Sequence, residues 1–288
     1  MTFLEYYLQI LLFTAALPLG FGLLVGICNK AFCALVGTGW GRPILLALHA
    51  LLTPLREFAH LVAVTLTLHR VGDFCLLNLH DPEGELGFVE HSYNRRNPIA
   101  VFGNYLFAVL PAALLLVLSM LVISLCFRGA FAGLSRSVVA LVETEAGFGE
   151  YARLAFGFLP AMFRDATTSL LGKAIGAIFL LLLSLGAYIS LDDLLGGLGG
   201  LFYYALGALL FAGVTALFDA RARRLILTDF RTFATGLAAL FIVVLVFAVM
   251  ALAIGAVIFV LRTLLGDGSR ALVPHENARY DDRYDYRY

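Results

Sequence analysis

Residues 98–126 read PIAVFGNYLFAVLPAALLLVLSMLVISLC, a stretch without a single Asp, Glu, Lys or Arg. Its length exceeds the ~20 apolar residues that a helix needs to cross a bilayer. A second apolar stretch, 43–68, is interrupted near its middle by Arg56 and Glu57. Further uncharged stretches lie at residues 6–29, 174–191, 194–218 and 232–261. The pattern predicts an all-α polytopic membrane protein with about six transmembrane helices.

The high hydrophobic and low charged fractions of the chain also predict a membrane protein. Hydrophobic residues make up 61% of the 288 residues and charged residues 14%, against about 45–50% and about 25% in ordinary globular proteins. A soluble protein of this composition could not cover its surface. The 20 basic and 20 acidic residues cancel, so no charge imbalance indicates a nucleic-acid partner.

The chain divides into one membrane domain, 1–265, and a tail. Segment 129–172 is too charged to span, and its apolar residues recur at helical spacing, which predicts one or two amphipathic helices lying on the membrane. The alternation in 85–94 predicts a short strand or hairpin, the one β-like loop. Residues 266–288 are of low complexity and are expected to be a disordered C-terminal tail. The predicted spans lie near 6–29, 43–68, 98–126, 174–191, 198–218 and 232–261.

Arginine and lysine in the connections predict the orientation. Segments 128–173 and 219–231 are both basic. With six spans they lie on the same side, which is therefore expected to be cytoplasmic. The short connection 192–200 has no basic residue and is predicted to be a hairpin on the opposite side.

The second span carries ionisable residues, which are costly inside a membrane and often mark function. His49, Arg56 and His60 share one helical face at 100° per residue, and Glu57 lies beside them. One interpretation is a polar stripe that is satisfied against another span. The other is a functional site.

The spacing of these residues favours a site. Residues 56–60 read REFAH, which is the frame H-E-x-x-H with arginine in place of the first histidine. In that motif two histidines bind zinc and the glutamate acts as general base. Downstream come ELGFVEHSYN at 85–94, Gly103-Asn104, Pro111 and SLDDLLG at 190–196. From about residue 49 to 200 the chain resembles bacterial membrane proteins related to the site-2 proteases, which are intramembrane zinc metalloproteases.

The resemblance implies a role for each matching residue. Glu57 matches the general base, His60 the second zinc histidine, and Asp193 the third metal ligand. Arg56 stands where the first histidine should be, and a guanidinium has no lone pair for a metal. His91, folding back from the loop, is the one substitute ligand within reach, and Asn104 is a further candidate for the site.

These observations favour a catalytically inactive relative that acts as a membrane scaffold or partner-binding subunit. In it Arg56, Glu57, His60 and Asp193 form a structural polar network without a cofactor, and Arg56 pairs with Asp193. One alternative is an active zinc metalloprotease with a rearranged ligand set. Another is an unrelated membrane complex subunit or transporter. The expected partners are the lipid bilayer and another membrane protein or complex, and the expected location is a bacterial inner membrane.

Overall fold

A computed structural model of the chain describes residues 3–79, 86–144, 148–217 and 220–265. Its regular structure is almost entirely helical, which confirms the all-α class. Within the described residues, five helical segments are long and apolar enough to cross a membrane. The helices are α1 (Phe3–Leu11), which continues through a π-helical turn (Leu12–Ala16) into α2 (Leu17–Val36), α3 (Gly41–Leu66), α4 (Pro98–Cys126), α5 (Arg128–Glu143), α6 (Phe148–Arg164), α7 (Leu170–Ser184), α8 (Leu191–Ala216) and α9 (Ala220–Leu264).

The loop between α3 and α4 forms the hairpin that the alternating sequence predicts. Strand β1 (Arg70–Cys75) pairs antiparallel with β2 (Phe88–Ser92), with a register shift between Val71 and Phe74. His69 precedes β1, and the hairpin places His91 directly opposite Val71. Residues 80–85 of the loop and the predicted tail 266–288 lie outside the described residues.

Helix α4 is central to the bundle, because α3, α7, α8 and α9 all pack against it. Its Leu115 and Ile123 are fully buried in one apolar core. The same core takes Leu180 from α7 and Val243 from α9. Burial on several sides explains why the sequence of α4 is apolar around its whole circumference, with no polar face.

Helices α7 and α8 run in the same direction along α4. Gly176 of α7 lies against Cys126 at the end of α4 and Phe127 just after it. Gly186 lies against Leu115 in the middle of α4, and Gly200 of α8 lies against Tyr105 and Val101 near its start. The two helices therefore form one discontinuous path along the bundle. The predicted hairpin 192–200 is wrong, since these residues belong to α8.

The predicted span 174–191 differs from the structure for the same reason. Helix α7 ends at Ser184, and residues 185–190 are not helical. The uncharged stretch continues through this break, and hydropathy alone cannot distinguish a helix from an extended segment. The Ser190 side chain then accepts a hydrogen bond from the Asp193 N–H at 3.0 Å and caps α8, which is the preferred use of serine at a helix start.

Glycines in α2 allow the non-helical segment to lie close to that helix. A Cβ on Gly22 would lie 2.7 Å from the Ile189 side chain, and one on Gly26 would lie 2.9 Å from the Ile189 carbonyl oxygen. The Ile189 N–H donates to the Gly22 carbonyl at 3.2 Å. Backbone groups away from water must find such partners, and this contact supplies one.

The described parts of the two basic segments lie towards opposite ends of α4, whereas the sequence interpretation placed both segments on one side of the membrane. Segment 128–173 follows the end of α4 at Cys126. Segment 219–231 follows α8, whose Tyr204 stacks on Phe102 near the start of α4. The difference arises because the sequence interpretation counted α7 and α8 as two antiparallel spans, which exchanges the two ends of the bundle for every later connection. Helices do occupy 128–143 and 148–164, as predicted for the amphipathic segment.

Candidate functional site

Arg56 lies midway along α3 and reaches the non-helical segment between α7 and α8. Its Nη1 donates to the carbonyl oxygens of Gly186 at 3.0 Å and Tyr188 at 3.2 Å. Its guanidinium carbon lies 4.0 Å from the centre of the Tyr188 ring, a cation–π contact. The expected contact with Asp193 is present, with Arg56 Nη2 3.8 Å from Asp193 Oδ2.

The break in the helix makes this arrangement possible. The backbone after Ser184 is not helical, so the carbonyl oxygens of Gly186 and Tyr188 can accept hydrogen bonds from a side chain of α3. Asp193 lies in the first turn of α8, where the helix dipole favours a negative charge. The side chains of Arg56 and Asp193 are only 12% and 23% exposed. A planar guanidinium with several donors suits this mixed set of oxygens.

His60 lies one turn after Arg56 and is 5% exposed. Its ring stacks on Phe107 of α4 at 3.9 Å between centroids. Its Nδ1 has no hydrogen-bond partner within the part of the chain that the structure describes. His60 is thus packed as an aromatic side chain against α4.

The remaining predicted site residues lie around the hairpin and α8. A Cβ on Gly87, just before β2, would lie 2.9 Å from Glu57 Cγ, so Glu57 extends towards the hairpin. Asn104 is 9% exposed, and a Cβ on Gly197 would lie 3.1 Å from the backbone carbonyl oxygen of Asn104. Asn104 therefore lies where α4 and α8 approach each other closely.

His91 contacts His69, a pair that the sequence reasoning missed. His69 Nε2 lies 2.6 Å from the Ala100 carbonyl oxygen, so it carries the proton and donates. The Nδ1 of a neutral His69 is then an acceptor, and His91 Nδ1 donates to it at 3.1 Å. His91 also packs against Phe107 at 4.7 Å between centroids. The sequence shows only that both histidines lie in the loop between two predicted spans, and their contact depends on the register of the hairpin.

The histidine pair makes stability depend on pH. Burial, and next the neighbouring His69, lowers the pKa of the His91 imidazole to about 4. In the unfolded chain histidine titrates near about 6.5, so the unfolded state takes up the proton first as the pH falls. The contribution of His91 to stability is therefore fully present above about pH 6.5 and is lost as the pH falls from there towards about 4.

We expect the melting temperature of the detergent-solubilised protein to fall when the pH is lowered from 7.5 to 5. His91→Asn keeps a side-chain N–H for His69 but does not titrate, so its melting temperature should fall less over this range. Thermal unfolding of both proteins at matched pH values measures the difference. Parallel pH profiles would show that His91 is not the titrating group.

The residues that the resemblance assigns to a zinc site have other contacts in the structure. His60 and Asp193 are the two possible ligands, and the guanidinium of Arg56, a fixed cation without a lone pair, contacts the carboxylate. His91 donates to His69 instead of replacing the missing histidine. Over the described residues no group of three His, Cys, Asp or Glu side chains is arranged to hold a metal.

No family model, curated protein or solved structure matches this chain. The chemistry of the site is thus defined by its own contacts. The half-buried Arg56 guanidinium contacts two backbone carbonyls, an aromatic face and one carboxylate, and it joins α3 to the break between α7 and α8.

Proposed function

We propose that this chain is a non-catalytic membrane protein related to the site-2 proteases, in which Arg56 takes the place of the metal. It acts as a scaffold or partner-binding subunit in a bacterial inner membrane. The observation that carries the proposal is the set of contacts that Arg56 makes with Gly186, Tyr188 and Asp193.

The arginine replaces the electrostatic role of a dication without its chemistry. It offsets the Asp193 carboxylate, which would otherwise be stranded at membrane depth. A guanidinium cannot polarise a water into a nucleophile, which is what a catalytic zinc does. The pentapeptide at 56–60 thus keeps a structural use after the loss of a metal ligand.

The same contacts suit a scaffold, because they hold a broken helix in one position. Without Arg56 the carbonyl oxygens of the non-helical segment would have no donor from α3. A rigid interior leaves the outer helix faces to meet lipid or a membrane-embedded partner. The partner class in this proposal is another membrane protein or complex.

Metal content and cleavage test the non-catalytic part of the proposal. The purified full-length protein is expected to carry far less than one zinc per chain by elemental analysis and to leave a model transmembrane substrate intact. Glu57→Gln removes the carboxylate that a protease would need, so it is the matched control for any residual cleavage. Tightly bound zinc that His60→Ala abolishes, or cleavage that Glu57→Gln abolishes, would overturn the proposal.

The scaffold part needs a separate measurement. On native gels, the chain extracted mildly from its own membranes is expected to migrate in a larger assembly than the purified chain. Arg56→Ala should reduce that assembly, and Glu57→Gln should preserve it. Identical migration before and after purification would contradict a partner-binding role.

We also propose five membrane crossings, with α7 and α8 forming one discontinuous crossing. Leu217 and Ser137 then lie on opposite sides of the membrane, and both are exposed. In intact cells, an impermeant thiol reagent is expected to label only one of Leu217→Cys and Ser137→Cys, measured against the parent protein. Labelling of both positions from the same side would require an additional crossing and would rule out this topology.

A further inference from the structure

Two consecutive aspartates in the first turn of α8 have different surroundings. Asp193 contacts Arg56, whereas Asp192 is exposed. Successive residues of a helix point about 100° apart, so Asp192 lies on a different face of α8 from its neighbour. Within the described residues the Asp192 side chain has no ion pair and no hydrogen bond. The packing of the described helices therefore leaves this carboxylate uncompensated.

Asp192 lies at the depth of the middle of the bundle. Gly186 before it lies against Leu115 of α4, and Gly197 after it lies against Ala108. Both of these α4 residues are about 15 Å or more from the nearer end of that helix, at 1.5 Å per residue. With the five proposed crossings, Asp192 is thus inside the hydrocarbon layer, which is about 30 Å thick. Charged residues at such depth pair with another group or face a water-filled cavity, because exposure to lipid is costly.

The rest of this face of α8 is apolar and exposed. Leu195 is 56% exposed and Phe202 is 66% exposed. Gly196 is also exposed, and nothing lies within 4 Å of a Cβ at that position. Small residues on a membrane helix allow the backbone of a second helix to approach closely. The face therefore combines a surface suited to a transmembrane helix with a carboxylate that needs a cation.

The cations in the described part of the chain do not supply this charge. Arg56 lies at a similar depth, but it is half-buried and is used by Asp193 and two carbonyls. Lys30 is exposed on α2, near enough to the end of that helix at Val36 for its ammonium group to extend to the interface. The described part of a second copy of the chain therefore offers no free cation at the level of Asp192. The charge is expected from a different protein.

We propose that this face of α8 binds a transmembrane helix of another protein, through a lysine or arginine that pairs with Asp192 in mid-membrane. The proposal rests on the partner-binding role and on the five crossings, and it names the surface and the charge that the partner needs. Attraction between two charges is stronger in surroundings of low dielectric than in water, and both charges leave the lipid on binding. Leu195 and Phe202 pack along the partner helix, and Gly196 lets the two backbones approach.

Native gels of mildly extracted membranes give the first test. Asp192→Asn should reduce the larger assembly about tenfold or more, as expected when one side of a desolvated charge pair is removed. The melting temperature of the purified chain should stay nearly unchanged, because no side-chain contact within the described residues is lost. Glu90→Gln changes an exposed carboxylate of β2 and is the matched control, which should preserve the assembly. An assembly that persists in Asp192→Asn overturns this proposal and leaves the scaffold role intact, whereas a wild-type chain without a larger assembly contradicts both.

A defined helix tests the charge directly. The full-length protein, labelled with a donor fluorophore, is reconstituted in phosphatidylcholine vesicles with an acceptor-labelled polyleucine helix that has one lysine at its centre. Energy transfer should exceed that of the same helix with leucine at the centre or with the lysine moved to its end. Asp192→Asn should remove the difference. Equal association of the three helices with the wild-type protein overturns the proposal.

Water is the other means of satisfying an exposed carboxylate. In native membranes, Asp192→Cys is expected to resist an impermeant thiol reagent, measured against the parent protein, because lipid and the partner helix surround the position. Rapid labelling would show that this face of α8 lines a water-filled cavity, and it would overturn the proposal.

Discussion

Replacing Arg56 with alanine is expected to lower the free energy of unfolding by about 3–5 kcal/mol, the usual cost of breaking a buried ion pair from one side. The loss has two parts. The Asp193 carboxylate, 23% exposed, loses its cation, and the carbonyls of Gly186 and Tyr188 lose the guanidinium donor, although the Gly186 carbonyl keeps the Tyr188 N–H at 2.9 Å. Equilibrium unfolding of the wild type and the variant in mixed micelles measures the difference.

Substitutions at Asp193 separate these two parts. The carbonyl contacts of Arg56, at 3.0 and 3.2 Å, are shorter than its 3.8 Å approach to the carboxylate. Asp193→Asn should therefore cost less than Arg56→Ala. The double variant should be more stable than Arg56→Ala alone, because no uncompensated carboxylate remains. Arg56→Lys keeps the charge without the planar set of donors, so its free energy of unfolding should lie between those of the wild type and Arg56→Ala. Strictly additive losses would show that Arg56 and Asp193 do not interact.

Among glycine-to-alanine substitutions in α8, Gly200→Ala is expected to lower the stability of the protein most. A Cβ at this position would lie 2.6 Å from the Tyr105 nitrogen and 2.6 Å from the Val101 carbonyl oxygen. These are backbone atoms of α4, so no side-chain rotation can relieve the clash, and α4 and α8 must separate. Overpacking of this kind costs about 1–3 kcal/mol and occasionally more. A fall in melting temperature and in expression level would report it.

Gly213→Ala is the matched control on the same helix. Nothing lies within 4 Å of a Cβ at that position. Alanine there improves helix propensity by about 0.5–1 kcal/mol without a clash. The two variants should therefore move the melting temperature in opposite directions. Equal effects would mean that α4 and α8 do not pack through Gly200.

Part of the site could be predicted from the resemblance together with charge. The resemblance assigns Asp193 to the metal site in which Arg56 replaces a ligand, and an isolated carboxylate at membrane depth is costly, so a contact between the two was expected. The carbonyls of Gly186 and Tyr188 could not be predicted in this way, because every residue has a carbonyl. Only the break after Ser184 leaves these two without helical partners. The pairing of His69 with His91 likewise depends on the register of the hairpin.

The direction of α7 and α8 shows the limit of hydropathy most clearly. Asp192 and Asp193 interrupt the apolar pattern, and a polar interruption resembles a loop at the membrane surface. In the structure Asp193 lies at the level of Arg56 in mid-bundle, where the arginine and the start of α8 stabilise its charge. The prediction of a surface hairpin at 192–200 failed because it assumed that water was the stabilising partner.

The sequence by itself determined that the chain is all-α, with uncharged stretches of the length that is typical of membrane-spanning helices. Its alternation indicated the strand within 85–94, and the resemblance, together with the cost of isolated charge, indicated the pairing of Arg56 with Asp193. Only the tertiary structure decided where the path through α7 and α8 breaks and which ends of the bundle the described parts of the basic segments occupy. Hydropathy and charge are properties of single residues, whereas close approach at glycines and the partners of free carbonyls exist only once the helices have packed.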